Sequence, residues 1–210
     1  MTKRLNEIYS LISSGEVFGD VGCDHGYIAE RVLKEGKFKK VIISDISSKS
    51  LLKAKNLLKK YGERVESVVS DGFKEYSVVP NEAVIAGMGG EEICQILLSS
   101  DKLPNRLILN PMKNTIKVRK TLHSLNYKIL KDYTIFDGKF YDIILAEKGE
   151  DTYTEKEYIF GRDNLKNRHI DFINKLLFYK NLYENALKNS EDLELKTKLD
   201  HINEVLNENQ

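Results

Sequence analysis

Short apolar runs at Val17-Phe18, Val41-Ile42-Ile43, Val65 to Val69, Ala83 to Ala86 and Leu107-Ile108-Leu109 each stop on an acid, a glycine or an asparagine, and helical patterns fill most of the gaps between them. A strand, a helix and another strand make a parallel crossover, because the helix carries the chain back to the edge from which the next strand starts. Helices laid down this way cover both faces of the sheet. The rhythm then changes. Tyr127 to Tyr133 and Tyr141 to Ala146 are linked through Asp137-Gly138-Lys139, too short for a crossover helix, so these strands pair as an antiparallel hairpin. The pattern predicts an α/β fold: a doubly wound, mostly parallel seven-stranded sheet.

Beyond residue 155 the pattern is helical. Leu165, His169, Phe172, Leu176, Tyr179, Tyr183 and Ala186 recur at alternating spacings of four and three, and Leu195, Leu199, Ile202 and Leu206 do so after the polar break Asn189-Ser190-Glu191-Asp192. Two helices packed as an antiparallel hairpin follow from this spacing. The chain therefore divides into a sheet domain over 1–150 and a helical coiled-coil hairpin over 155–210, with residues 207–210 expected to fray.

Composition removes several classes of function. With 41% hydrophobic and 31% charged residues the chain matches an ordinary globular protein, and no run is apolar enough to span a bilayer. Asn6, Glu7 and Ser10 interrupt any secretory core at the start, so a cytoplasmic location is expected. Cys23 and Cys94 stand far apart without a metal-ligand spacing, which predicts reduced thiols and no metal site. Residues 1–150 carry 24 Lys and Arg against 20 Asp and Glu, a mild surplus that permits a polyanionic partner.

Ligands of open α/β sheets bind outside the carboxyl ends of the strands, where the strand order reverses. The sequence places Asp20-Val21-Gly22-Cys23-Asp24-His25-Gly26, then Asp45-Ile46, Asp71-Gly72 and Gly87-Met88-Gly89-Gly90, at successive strand ends. Gly22 and Gly26 let the first turn approach a ligand closely, and Asp45 is spaced to accept from both hydroxyls of a ribose. Glycines at 19, 22 and 26 miss the dinucleotide fingerprint, which argues against a nicotinamide dehydrogenase. Carboxylates at 20, 24 and 45 repel phosphate and suit a cation bearing an ammonium, a sulfonium and a free ribose, and S-adenosylmethionine has all three. The cofactor contacts expected are Asp20, Gly22, Gly26, Asp45, Ile46, Asp71, Gly72, Gly87, Met88 and Gly89. Plain turn chemistry at Asp71, and a tight helix start at the glycines before Glu91, are the structural alternatives.

Lys3-Arg4-Leu5, Asp20 to Tyr27, Ala86-Gly87-Met88-Gly89-Gly90, Leu109-Asn110-Pro111 and Lys139-Phe140-Tyr141 with Leu145-Ala146-Glu147 together resemble the bacterial tRNA (adenine-N1)-methyltransferase family that acts on adenine 22. The resemblance spans nearly the whole chain. It implies a class I, Rossmann-like methyltransferase fold, S-adenosylmethionine as donor, tRNA as partner and a C-terminal helical hairpin. Asn110 stands where the family often has glutamine, and Cys23 where serine is frequent.

Adenine N1 carries a free lone pair, so alignment with the methyl group and an acceptor for the exocyclic amine suffice for transfer. Asp24 is the first candidate for that acceptor, Asn110 the second, and His25 shapes the turn or meets the substrate. Tyr27 or Tyr141 would support an unstacked base. Arg162, Lys166, Arg168, Lys175, Lys180 and Lys188 make the first hairpin helix the better polyanion contact, with Lys166, Lys175 and Lys180 as docking residues. A methyltransferase with another substrate is the nearest alternative. A silent RNA-binding module would not need the intact acidic turn. A monomer that requires no metal is expected.

Overall fold

A computed structural model describes residues 1–208; Asn209 and Gln210, expected to fray, lie outside the described residues. Helix α1 (Lys3–Ser10) starts where the Thr2 hydroxyl accepts the Leu5 N–H, and leads into β1 (Gly15–Val21), α2 (Tyr27–Lys34), β2 (Phe38–Asp45), α3 (Ser48–Leu58) and β3 (Val65–Val69). Next come β4 (Glu82–Ala86), α4 (Gly90–Leu98), β5 (Arg106–Asn110), α5 (Thr115–Ser124), β6 (Tyr127–Phe136) and β7 (Phe140–Lys148). No helix joins β3 to β4. Buried Phe73 and half-buried Tyr76 fill that position, with the Tyr76 hydroxyl 2.9 Å from Ser44 Oγ.

The seven strands run in the order β3-β2-β1-β4-β5-β7-β6, and β7 is antiparallel to both neighbours. The order reverses between β1 and β4. Register pairs Val21 with Ser44 and Ile85, Asp45 with Val69, and Ala86 with Asn110, so the carboxyl ends of five strands come level along one edge of the sheet. One apolar layer lies under α1, α2 and α3, with Ile8, Val32 and Leu58 at its centre. The other lies under α4 and α5, around Ile93, Leu97 and Val118.

The C-terminal part differs from the expected uninterrupted first arm. It forms α6 (Glu155–Phe160), α7 (Arg162–Asn167), α8 (Ile170–Leu187) and α9 (Leu193–Asn207). The breaks fall at Gly161, φ +87°, and Arg168, φ +48°. The cause of the first lies in the sheet. Buried Arg119 of α5 makes a two-pronged ion pair with buried Asp132 of β6, 2.8 Å at each contact, and also donates to the Tyr158 and Ile159 carbonyls at the end of α6. A Cβ at position 161 would meet Asp132 Oδ1 at 2.8 Å and Arg119 Nη2 at 2.9 Å, so the chain must turn there as glycine. Asn164 continues the attachment by accepting the Thr134 N–H and donating to its hydroxyl.

Residues 155–167 are thus part of the sheet's edge, and the hairpin proper is α8 with α9, closed over Phe172, Leu176, Ile202 and Val205. His169, expected on the apolar stripe, instead precedes α8 as its cap residue. Leaving one member of a buried ion pair alone costs about 3–5 kcal/mol. Asp132→Ala should lower unfolding stability by that amount in urea denaturation. A loss below about 1 kcal/mol, the range of exposed pairs, would mean that the pair does not fix the α6 attachment.

Candidate active site

The turn from β1 to α2 contains three left-handed residues: Gly22 at φ +68°, Asp24 at +42° and Gly26 at +72°. The Gly22 and Cys23 N–H groups donate to the Ser44 carbonyl, pinning the turn to β2 at 2.8 and 3.0 Å. Gly26 lies beneath α3, where a Cβ would come within 2.9 Å of Ala54. At Gly22 a Cβ would meet the Met88 methyl at 2.0 Å, so this glycine makes room for the loop after β4.

Two hollows open along the strand ends. The larger, about 430 Å³, is bounded by Arg4, Asp24, His25, Tyr27 and Gly87, with Asp20 at its base. The smaller, about 340 Å³, is lined by Ile46, Asp71, Gly72, Gln95 and Ile96. Gly22, Asp45 and Met88 line both. Asp45 is half-buried and steadied by the Ser47 N–H on Oδ1 at 2.8 Å. Gly26 and Gly89, also expected at the cofactor, border neither hollow: Gly26 supports the turn from below, and Gly89 starts α4, its N–H on Glu92 Oε2 at 2.6 Å.

Carboxyl groups four residues apart are pushed in opposite directions. Asp20 is buried, and desolvation raises its pKa to about 7, against the pull of the Ala29 N–H at 3.2 Å. Asp24 is exposed. Its slight burial works against ionisation, but hydrogen bonds from Lys53, 3.2 Å, and His25, 2.7 Å, hold it below the usual carboxylate range. Tyr27 stacks flat on His25, ring centres 5.4 Å apart and 6° from parallel. Burial, then the nearby carboxylates, push the Cys23 thiol well up, so it stays protonated and inert.

On the opposite side of the larger hollow Arg4 alone leads back to two expected site residues, Asn110 and Tyr141, which border neither hollow. Asn110 is fully buried; its Oδ1 accepts from Arg4 Nη1 at 3.0 Å and its Nδ2 donates to the Asp142 carbonyl at 2.8 Å. Tyr141 lies under the Arg4 guanidinium, 5.0 Å from ring centre to Cζ. Arg4 itself lines the hollow, beside Gly87. It stands in the Lys3-Arg4-Leu5 motif, but the sequence gives it no role, since its partner Asn110 lies 106 residues away. Lys53, which fixes Asp24, carried no signal either.

Of the expected docking lysines, Lys166 is exposed and Lys180 stands 3.9 Å from Glu184. Lys175 does not join them: its ammonium lies 2.6 and 2.8 Å from the two Asp142 carboxylate oxygens, against the sheet. Among the described residues, no group of three or more His, Cys, Asp or Glu is placed to hold a metal ion.

Comparison with known proteins agrees with this geometry. A family profile described as a methyltransferase domain matches residues 1–144. A Mycoplasma pneumoniae protein named "Putative tRNA methyltransferase" is 30% identical over 195 residues, 90% of each chain. The Bacillus subtilis tRNA (adenine(22)-N(1))-methyltransferase is 32% identical over 157 residues, 71% of this chain and 66% of that protein. Among solved structures, a Streptococcus pneumoniae "putative tRNA (m1A22) methyltransferase" in complex with S-adenosyl-L-methionine superposes with a TM-score of 0.89 at 28% identity, covering 98% of this chain and 99% of that one. The B. subtilis m1A22 tRNA methyltransferase does so at 0.82 and 26%, covering 98% of each.

The buried acid at the base of the hollow yields a pH test on the free protein. A carboxyl whose pKa rises on folding adds stability below its unfolded value, here near 3.8, and that contribution is lost as pH rises through about 7. Asp20→Asn removes the dependence. The melting temperature of the variant relative to the wild type should therefore climb between about pH 4 and pH 8. A difference that stays flat across that window would show that Asp20 is not the titrating group.

Proposed function

The chain belongs to the bacterial tRNA (adenine(22)-N1)-methyltransferase family, and we propose that its larger hollow performs the transfer by keeping an acidic cofactor side apart from a cationic, tyrosine-backed wall. The enzyme methylates N1 of adenine 22 in tRNA with S-adenosylmethionine as donor. The observation that carries this assignment is the turn at residues 20–26 facing Arg4 and Gly87 across the switch point of the sheet. When bound, S-adenosylmethionine supplies a methyl group on a sulfonium, which is electrophilic without further activation.

The residues fit this cofactor. Asp45 is shared by both hollows, as a ribose acceptor must be if the adenine and methionine portions lie to either side of it. Gly22 and Met88 form the narrow passage between them, while Ile46, Asp71 and Gly72 border the adenine side. Asp20, buried beneath the turn, supports it from below. Gly87 leaves the opposite rim open: a Cβ there would meet only Arg4 Nη1, at 3.8 Å.

On the substrate side, Asp24 is ionised and exposed, so it can accept from the exocyclic amine of the target adenine and tolerate the positive charge that develops on the base. No proton has to leave N1 first. Tyr27, backed by His25, offers a flat face to the unstacked base. The Asn110 amide is held by Arg4 and by the Asp142 carbonyl, which makes it a positioning residue rather than a base contact, and Tyr141 holds the Arg4 guanidinium from below. Lys166 and Lys180 remain as docking contacts for tRNA phosphates; Lys175 is withdrawn from that role by Asp142. No helix among the described residues is long and apolar enough to cross a membrane, and the proposed setting is a cytoplasmic monomer that works without metal.

Incubation with unmodified tRNA and labelled donor, followed by nucleoside analysis, should yield 1-methyladenosine. Asp45→Ala should weaken binding of both the donor and its demethylated product by about 1.5–3 kcal/mol, the worth of hydrogen bonds to a charged group, in calorimetry. Unchanged affinity in the folded variant removes Asp45 from the pocket. Asp24→Ala should slow single-turnover transfer far more than it weakens donor binding. A rate within about twofold of wild type, under 1 kcal/mol of barrier, would exclude Asp24 from the chemical step.

A further inference from the structure

Helix α8 reaches the cleft wall by two separate paths, and both end on Arg4. The first runs through side chains. Lys175 of α8 pairs with the Asp142 carboxylate, the Asp142 carbonyl accepts from Asn110 Nδ2, and Asn110 Oδ1 accepts from Arg4 Nη1. The second runs through the backbone. Asp171 in the first turn of α8 accepts from Lys3 Nζ at 3.1 Å and from the Phe136 N–H at 2.9 Å, while neighbouring Asp137 accepts from the Arg4 N–H at 2.9 Å. The guanidinium end and the peptide end of one residue are therefore both referred to the same helix.

The joints of the first path are rigid. Asn110 is fully buried and Asp142 almost so, and the Asp142 carboxylate also accepts from Thr134 at 2.6 Å and Thr115 at 3.0 Å. A carboxylate with four contacts from three elements has one available orientation, and its carbonyl is fixed with it. Exposed surface ion pairs have no such constraint.

We propose that α8 positions Arg4: Lys175 and Asp171 set the cationic wall of the cleft, so the seating of the C-terminal hairpin and the geometry of the substrate side are fixed together. The proposal rests on the reading of Arg4 as part of the transfer site. It makes the hairpin an integral component of that site in addition to any surface it offers to tRNA.

The test is a double-mutant cycle on the full-length protein, with kcat and KM for tRNA and the affinity for S-adenosylhomocysteine measured for each variant. Positions that act through one another are non-additive, so Lys175→Met should lower kcat/KM roughly tenfold with Arg4 present but less than about twofold when Arg4 is already Met. Lys175→Arg, which keeps the cation, should restore most of the loss. Lys156→Met is the structural comparison: it releases α6 from Glu204 of α9 and from Glu208 just beyond that helix without touching Asp142, and its effect should add to that of Arg4→Met.

If Lys175→Met fails to fold because Asp142 is left alone, Lys175→Met with Asp142→Asn removes both charges and enters the cycle instead. Additive effects of Lys175 and Arg4, in a protein where Arg4→Met does impair transfer or S-adenosylhomocysteine binding, overturn the role of α8. If Arg4→Met changes neither quantity, the assignment of Arg4 to the site fails and the proposal falls with it. If tRNA carries no 1-methyladenosine after incubation with the wild type, the reaction assignment is at fault instead.

Discussion

The burial of the Asp142 carboxylate organises the half of the molecule that a nucleotide-binding sheet alone would leave undefined. Taking an ion out of water costs several kcal/mol even after relaxation, and the cost is recovered only when good geometry and additional hydrogen bonds surround the charge. Asp142 meets that condition. Burial works against its ionisation, but the charges of Lys175 and Arg119 and the hydrogen bonds from Lys175 and Thr134 hold its carboxyl far below the usual range, while Thr115 supplies a further donor. Since these donors come from α8, β6 and α5, satisfying one carboxylate fixes where three elements meet. The neighbouring Arg119–Asp132 pair does the same for α6. Burial disfavours the Arg119 charge and Asp132 more than restores it.

This polar seam ties the helical part to the sheet at named side chains. Removing residues from 155 onward would take Lys175 from Asp142, the Tyr158 and Ile159 carbonyls from Arg119, and the Asn164 amide from Thr134. A hydrophobic interface of similar extent would tolerate sliding, whereas hydrogen bonds at 2.6 to 3.0 Å do not. The sheet edge formed by β6, which would otherwise expose unpaired N–H groups, is covered at Asp132 and Thr134 by Asp163 and Asn164 of α7. Edge protection and attachment of the C-terminal helices are one arrangement.

What could be read in the sequence was whatever is encoded locally. Val41-Ile42-Ile43 and Leu107-Ile108-Leu109 announce strands by their residue types, and the Asp137-Gly138-Lys139 link announces a hairpin by its length, so the seven strands, their directions and the alignment of the acidic and glycine turns at the strand ends are legible. Contacts made at long range were not. The spacing of four and three over 165–186 implies one helix, but the chain turns left-handed at Arg168, and α6 before it ends at Gly161, where Arg119 and Asp132 leave no room for a side chain. A lysine in a helix reads as solvated whether or not a buried acid awaits it, so the pairing of Lys175 with Asp142 is not legible in the sequence. Arg4 and Lys53 were missed for the same reason: each acquires its role from a partner that only the folded chain supplies. Gly26 and Gly89 read as cofactor contacts, while the close approach each permits in the structure is to the protein's own backbone and side chains.

The two acids of the first turn carry the argument from fold to chemistry. When neighbouring carboxyl groups are driven apart in pKa, the divergence indicates which is structural and which meets the reaction. Asp20, enclosed between β1 and α2, keeps its proton well above the pH at which a free aspartate loses it, so it adds little negative charge to the cleft below about pH 7. Asp24, lifted into solvent by a left-handed backbone and flanked by Lys53 and His25, stays ionised. A reaction that creates a cation on the accepting base needs one fixed negative group beside that base and none that would hold the cationic donor too tightly in its ground state. In the proposed reading, one exposed carboxylate and one masked carboxyl, on either side of the left-handed Gly22, meet that requirement without a general base.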